Sequence, residues 1–116
     1  MRIATWNVNS VRTRAERIAA FLERNDVDVL AMQETKTADA KFPYATFEAA
    51  GYEVAHVGVS QWNGVAIASR VGLDNVRDSF TRQPAFAKKG DPSVEARAVG
   101  AVCGGVDVWS LYVPNG

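Results

Sequence analysis

Two segments of this chain end apolar runs abruptly in groups that bind cations and phosphates. Ala4-Thr5-Trp6-Asn7-Val8-Asn9 closes on two carboxamides, and Leu30-Ala31-Met32-Gln33-Glu34-Thr35-Lys36 closes on an amide, a carboxylate and an ammonium. If each run is a buried strand, its end delivers these groups to one sheet edge. A single carboxylate at a strand end, beside amides, suits Mg2+, which takes one or two protein carboxylates and keeps several waters for phosphate oxygens to displace. Asn7 adds a carbonyl for a metal and an amide donor for a phosphate. Asn9 falls on the same side as Asn7 if the strand extends that far. Each residue taken alone also has a plainer reading, Glu34 as a solvated acid at a strand terminus and Asn7 as an asparagine capping its own turn. A third run, Trp109-Ser110-Leu111-Tyr112-Val113-Pro114-Asn115-Gly116, brings a phenol and a further carboxamide.

The elements that must position these groups follow from periodicity. Residues 2–7 read as a buried strand. Thr13-Arg14-Ala15-Glu16 reads as a capping box, and behind it Ala15, Ile18, Ala19 and Leu22 share one helix face at spacings of three and four. Asn25-Asp26 ends that helix, and Val27–Met32 form a second buried strand, which closes a parallel β-α-β unit. Phe42-Pro43 opens a short helix over 43–50 that Gly51 terminates. Tyr52–Val59 and Gly64–Ser69 are strand-like, with Ser60-Gln61-Trp62-Asn63 as the turn between them. Residues 72–95 are polar and irregular, and 87–93 read as a mobile loop. Ala96–Cys103 and Val106–Val113 alternate as strands around a Gly104-Gly105 hairpin turn. The order predicts an α/β arrangement with a mixed sheet. Two helices cannot cover both faces of the apolar strands, so one hydrophobic face is expected to stay open.

The chain has 116 residues, room for one small domain. Hydrophobic residues make up 47%, enough for a packed core. Thirteen basic residues balance 13 acidic ones, so no global positive field announces nucleic acid, and any polyanion site must be local. Cys103 is the single cysteine, which excludes an internal disulfide. It reads as a small core residue, and His56, inside a strand pattern, as structural. No apolar run approaches a membrane span, and Met1-Arg2 leads straight into a strand pattern. The expectation is a soluble cytoplasmic protein that does not engage a membrane.

The three runs, in this order and with Gly64-Val65-Ala66-Ile67 and Glu95-Ala96-Arg97, resemble the exonuclease III/AP endonuclease family, within the endonuclease/exonuclease/phosphatase superfamily. The resemblance covers the whole chain, while members of the family are considerably longer. It implies the first half of a four-layer, DNase I-like α/β sandwich, mixed β-sheets flanked by helices with the active site at one end. Residues 1–116 would then be the N-terminal part of a single domain, truncated after Gly116. The implied activity is Mg2+-dependent phosphodiester hydrolysis, with Mn2+ as an alternative ion. The implied substrate is double-stranded DNA, cut 5′ to abasic sites and degraded from 3′ ends, by a protein that is monomeric when complete.

The resemblance makes Glu34 and Asn7 part of the metal site and Tyr112 the active-site tyrosine. A phenol has an ordinary pKa near 10 and is a poor base at neutral pH, so Tyr112 is expected to donate to a phosphate oxygen as charge builds there. Lys36, Arg97 and Arg12 are expected to reach backbone phosphate. Asn9 and Asn115 are expected near the phosphate as well, and Trp62 is expected to present its ring to the minor groove. Against these stand plainer readings: solvated surface charges, a plain turn at Asn115, a core-tucked Trp62, and a solvated Lys88-Lys89 pair. The family's Asp-x-Asn segment and C-terminal Asp-His pair do not occur in this sequence, and Asp78, Asp91 and Asp107 stand in the wrong context to replace them. This chain alone is therefore expected to be inactive. Two other readings remain, a phosphatase of the same superfamily acting on a non-DNA phosphoester, and a non-catalytic fragment.

Overall fold

The β-α-β unit forms as the periodicity demands. Strands β1 (Ile3–Asn7) and β2 (Val29–Gln33) run parallel, Ile3 beside Val29 and Asn7 beside Gln33, joined by helix α1 (Ala15–Arg24). The structure, a computed structural model, describes residues 1–78 and 97–113. After a 3-10 turn at Asp39–Lys41 and helix α2 (Tyr44–Ala49), β3 (Glu53–Val57) and β4 (Val65–Ser69) complete a four-stranded sheet of order β1-β2-β4-β3. Only β1 and β2 are parallel; β4 is antiparallel to both of its neighbours, so this sheet is mixed. A second, antiparallel sheet has the order β5-β6-β7, from β5 (Asp74–Arg77), β6 (Ala98–Cys103) and β7 (Val106–Leu111). Gly104 and Gly105 make the β6–β7 turn with φ of 56° and 83°, a pair of positive values that L side chains adopt with strain.

Two apolar layers hold this together. Ile18 and Leu22 of α1 and Phe47 of α2 are fully buried against Leu30, Met32, Ala66 and Ala68. Each such side chain contributes roughly 1.5–3 kcal/mol. That burial, with Phe42 stacked 5.6 Å from Phe47, is what keeps a helix as short as α2 folded. On the other side of the sheet, Val29, Ala55, Val65 and Ile67 pack on Val99, Ala101, Cys103 and Val108 of the second sheet. The described residues thus give helix, sheet and sheet, three layers of an α/β sandwich.

Several expectations need correction. β1 is not buried but alternates in exposure, because it is an edge strand. Ala4 and Trp6 pack toward the helices, with the Trp6 ring 5.0 Å from Phe21, while Ile3, Thr5 and Asn7 stay exposed beyond β7. The capping box does not form. Thr13 donates to the Ser10 carbonyl at 3.3 Å, and α1 starts behind Arg14 with no side-chain cap. The reason is a tight turn just upstream, where Arg14 N–H already bonds the Val11 carbonyl at 3.1 Å. The hydrophobic face expected to stay open is covered at β2 and β4, which lie between the helices and the second sheet, and stays open at Ile3 of β1. Part of the stretch read as irregular is β5, an exposed edge strand whose polar residues carry no alternation. The expected mobile loop at 87–93 and the Lys88-Lys89 pair lie outside the described residues.

Candidate functional site

Register alone brings the two strand ends together. Asn7 faces Gln33 across β1–β2, so Glu34 emerges beside Asn7. The pairing then continues past both strands: Val8 N–H bonds the Gln33 carbonyl at 2.9 Å, Ser10 N–H that of Glu34 at 2.9 Å, and Val11 N–H that of Thr35 at 3.0 Å. On the opposite flank Thr35 N–H donates to Gly64 at 3.2 Å and Lys36 N–H to Asn63 at 2.9 Å. The Glu34–Lys36 turn is therefore gripped from both sides. It needs that grip, because Glu34 and Lys36 both adopt φ of 55°, an unfavourable value for side-chain-bearing residues. Gly64 sits at φ 94°, where an added Cβ would lie 2.0 Å from the Thr35 hydroxyl oxygen, so only glycine allows this approach.

The side chains close a ring of contacts. Asn7 Nδ2 donates to Glu34 Oε2. Asn7 Oδ1 accepts from the Asn9 N–H at 3.2 Å, which fixes the orientation of the amide. Lys36 Nζ donates to Asn9 Oδ1 at 2.6 Å and stands 4.0 Å from Glu34 Oε1. Asn9 reaches this ring from a turn at φ 46°, not from an extension of β1. The result is one partly exposed carboxylate, two amides and an ammonium at one edge of the sandwich. No cluster of three or more His, Cys, Asp or Glu exists among the described residues. One carboxylate with an amide beside it is a donor set that fits Mg2+, which takes few protein carboxylates and keeps several waters.

The remaining expected residues fall in several places. Ser110 on β7 donates to the Met32 carbonyl at 2.7 Å and accepts from Gln33 Nε2 at 3.1 Å, which seats β7 over the end of β2. Tyr112 lies two residues on, half-buried against the inter-sheet core, its N–H bonded to the Arg97 carbonyl at 2.9 Å. Arg97, expected to reach backbone phosphate, is not the solvated surface charge of the plainer reading. It is half-buried, with its guanidinium carbon 5.8 Å from the Tyr112 ring centre and Nε and Nη1 shielded from solvent. Arg12 and Lys36 both line a groove of about 300 Å³, together with Lys41, Ser60 and Gln61. Trp62 is 67% exposed, in the turn where it was expected, and not tucked into the core. Asn115 lies outside the described residues. Sequence reading missed Lys41, which no motif marks, and gave no role to Gln33 and Ser110, whose bridge depends on how two sheets pack.

The profile of the Endonuclease/Exonuclease/phosphatase family matches residues 4–101. The chain is 34% identical over 89 residues to the exodeoxyribonuclease III of Haemophilus influenzae, a match covering 77% of this chain and 33% of that protein. Among solved structures, an AP endonuclease from Archaeoglobus fulgidus aligns with a TM-score of 0.80 and 41% identity, over 98% of this chain and 42% of its own. The 3′-5′ exonuclease NExo from Neisseria meningitidis aligns with a TM-score of 0.82 and 36% identity, over 97% of this chain and 41% of its own. A second structure of NExo, there described as a 3′ phosphatase, holds a product DNA hairpin. The chain thus spans about a third of the curated relative's length and about two-fifths of these solved chains.

Proposed function

Because the chain belongs to the endonuclease/exonuclease/phosphatase family, we propose that it supplies the N-terminal part of a divalent-metal-dependent DNA repair nuclease, an enzyme of the exonuclease III type. The proposed reactions are hydrolysis of the phosphodiester 5′ to an abasic site and removal of nucleotides from 3′ ends of duplex DNA. The observation that carries this reading is the Asn7–Glu34 pair, joined to Asn9 and Lys36 at the shared end of β1 and β2. The names of the relatives, an exodeoxyribonuclease, an AP endonuclease and a 3′-5′ exonuclease, support a DNA phosphoester as the target.

Glu34 would hold Mg2+ or Mn2+, with Asn7 beside it. Bound there, the ion would polarise a phosphoryl oxygen and help the leaving oxygen depart. The residues of the chain do the rest of what this part of the site contributes. Asn7 orients the carboxylate through Oε2. Lys36 and Arg12, both lining the groove, would take phosphate oxygens of the backbone. Tyr112 would donate a hydrogen bond from its hydroxyl to a phosphate oxygen as negative charge builds, and Arg97, beside its ring, would reach backbone phosphate. Trp62 presents an exposed ring to the duplex. Proton removal from the attacking water is assigned to residues elsewhere in the whole protein.

A 3′ phosphatase activity on DNA needs no other site, and the description of NExo favours weighing it. The test is to compare abasic-duplex incision, 3′ resection, release of a 3′ phosphate and hydrolysis of soluble phosphomonoesters, each with Mg2+ and with EDTA. EDTA-sensitive action on the DNA substrates is the expected result. Activity confined to soluble phosphoesters would replace this reading with that of a non-DNA phosphatase, and activity unaffected by EDTA would remove the metal.

A further inference from the structure

A polar network with a buried centre, His56 and Thr35, and an exposed outer member, Asp39, sits directly behind the site, and nothing in the proposed chemistry uses it. The His56 side chain has no solvent exposure. Its Nε2 lies 2.8 Å from the Thr35 hydroxyl, and Thr35 is itself completely buried. Its Nδ1 lies 2.7 Å from Asp39 Oδ1. The carboxylate stands off the line of the ring N–H, so this contact is electrostatic and not an aligned hydrogen bond. Asp39 is anchored in turn, because Oδ1 accepts from the Gly58 N–H at 3.0 Å while Asp39 N–H donates to the Gly58 carbonyl at 3.1 Å. The Phe42 ring, 4.5 Å away, closes the remaining side.

The protonation pattern follows from these neighbours. Burial pushes His56 below its ordinary pKa and outweighs the opposing pull of Asp39, so the imidazole is neutral at neutral pH. The carboxylate favours the proton on Nδ1, which leaves Nε2 as acceptor and makes the Thr35 hydroxyl the donor. A buried histidine in a strand that served only to fill space would cost less as a leucine or phenylalanine, because no polar atoms would need partners. Here both partners come from the segment that begins at Glu34.

We propose that His56 is a positioning residue for Glu34. It fixes the Thr35 side chain, and Thr35 is the one residue between two strained positions, Glu34 and Lys36, both at φ 55°. Backbone bonds with Ser10, Val11, Gly64 and Asn63 fix the two peptides that flank Thr35, but they leave its side chain unheld. The hydroxyl–imidazole bond adds a side-chain anchor to these backbone bonds, and Asp39 links it to the start of the β3–β4 connection. With backbone and side chain both held, the turn keeps its strained conformation, and with it the direction in which the Glu34 carboxylate meets Asn7. The inference rests on Glu34 acting as the metal ligand and adds the device that aims it.

The test uses the complete protein and reads the Mg2+ concentration for half-maximal incision, direct Mn2+ binding, and thermal stability. His56→Phe keeps ring packing against Phe42 and removes both nitrogens. Thr35→Val keeps shape and removes the hydroxyl. Each should raise the Mg2+ requirement, and weaken Mn2+ binding, on the order of tenfold, the scale of lost outer-shell partners of a metal. The double variant should be no worse than either single one, because both delete the same bond. His56→Gln and Thr35→Ser restore an acceptor and a donor and should recover most of the loss. A lowered melting temperature with unchanged Mg2+ requirement and Mn2+ binding would make the network merely structural and overturn the proposal. Additive losses in the double variant would overturn it too. Glu34→Gln run alongside separates the two levels: if Glu34→Gln shifts the metal requirement and His56→Phe does not, only the positioning role fails, and if Glu34→Gln shifts nothing, the metal site itself fails.

Discussion

At Tyr112 the ring and the hydroxyl have separable tasks. The ring packs on the inter-sheet core and against Arg97, and the hydroxyl is the part that the proposed function assigns to a phosphate. In Tyr112→Phe the packing survives. If the hydroxyl acts mainly in the transition state, turnover should fall while DNA affinity changes little, by no more than the 10²–10³ typical of one lost oxyanion donor. Steady-state rates and equilibrium binding on one substrate check this, and unchanged turnover would make Tyr112 an ordinary core tyrosine. Lys36→Ala should weaken binding evenly across DNA sequences and flatten the slope of log affinity against log salt by roughly one. The residue types at this edge were legible in the sequence because strand ends collect them in short motifs. What each side chain does was less legible. Asn9 arrives through a left-handed turn, and Arg97, expected to reach phosphate, lies half-buried beside the Tyr112 ring. Burial of a basic residue depends on what folds over it, and its neighbours in sequence do not report that.

The elements matter here mainly for what their ends hold. The Glu34–Lys36 turn is the weak point, since it combines strained backbone with a close glycine. Gly64→Ala should destabilise the protein by at least about 1 kcal/mol from its positive φ alone. It should reduce activity further than that loss explains, because the new methyl displaces Thr35. Chemical denaturation and incision rates on the same variant check both parts. At the opposite end of the sheet, Asp28 accepts from the Arg2 N–H at 2.7 Å and from Arg70 at 3.0 Å. These contacts, the backbone bond first, hold its carboxyl below the ordinary carboxylate range. A depressed carboxylate contributes stability above its unfolded pKa and loses it as pH falls through the folded value. The stability gap between wild type and Asp28→Asn should therefore be present at pH 7, vanish on acidification below the ordinary carboxylate range, and shrink in high salt because the site is exposed. A gap that persists at low pH would assign the effect to packing. Helix α1 and the β-α-β unit could be read from spacing, since burial of Ile18 and Leu22 imposes it. The capping box failed because a tight turn took over Thr13, and β5 was invisible because an exposed edge strand needs no apolar alternation.

At the scale of the molecule, two sheets pack face to face and the candidate site stands at one edge of that sandwich. The second sheet was the part least visible beforehand. Its strands read correctly as a hairpin, but nothing local says that they turn back to cover β2 and β4 in place of helices. The bridge from Gln33 through Ser110 to Met32 is the joint between the sheets nearest the site. The account of the whole rests on one claim, that Glu34 at this edge carries a divalent cation for cleavage of a DNA phosphodiester. The most direct measurement is incision of a duplex with a single abasic site by the complete protein, titrated with Mg2+, wild type beside Glu34→Gln. The substitution keeps shape and removes the charge. The account predicts EDTA-sensitive incision by wild type and, at limiting Mg2+, a loss in Glu34→Gln at least as large as the roughly 10–100-fold typical of a metal's outer-shell partners. Near-wild-type incision by Glu34→Gln at low Mg2+ would contradict it.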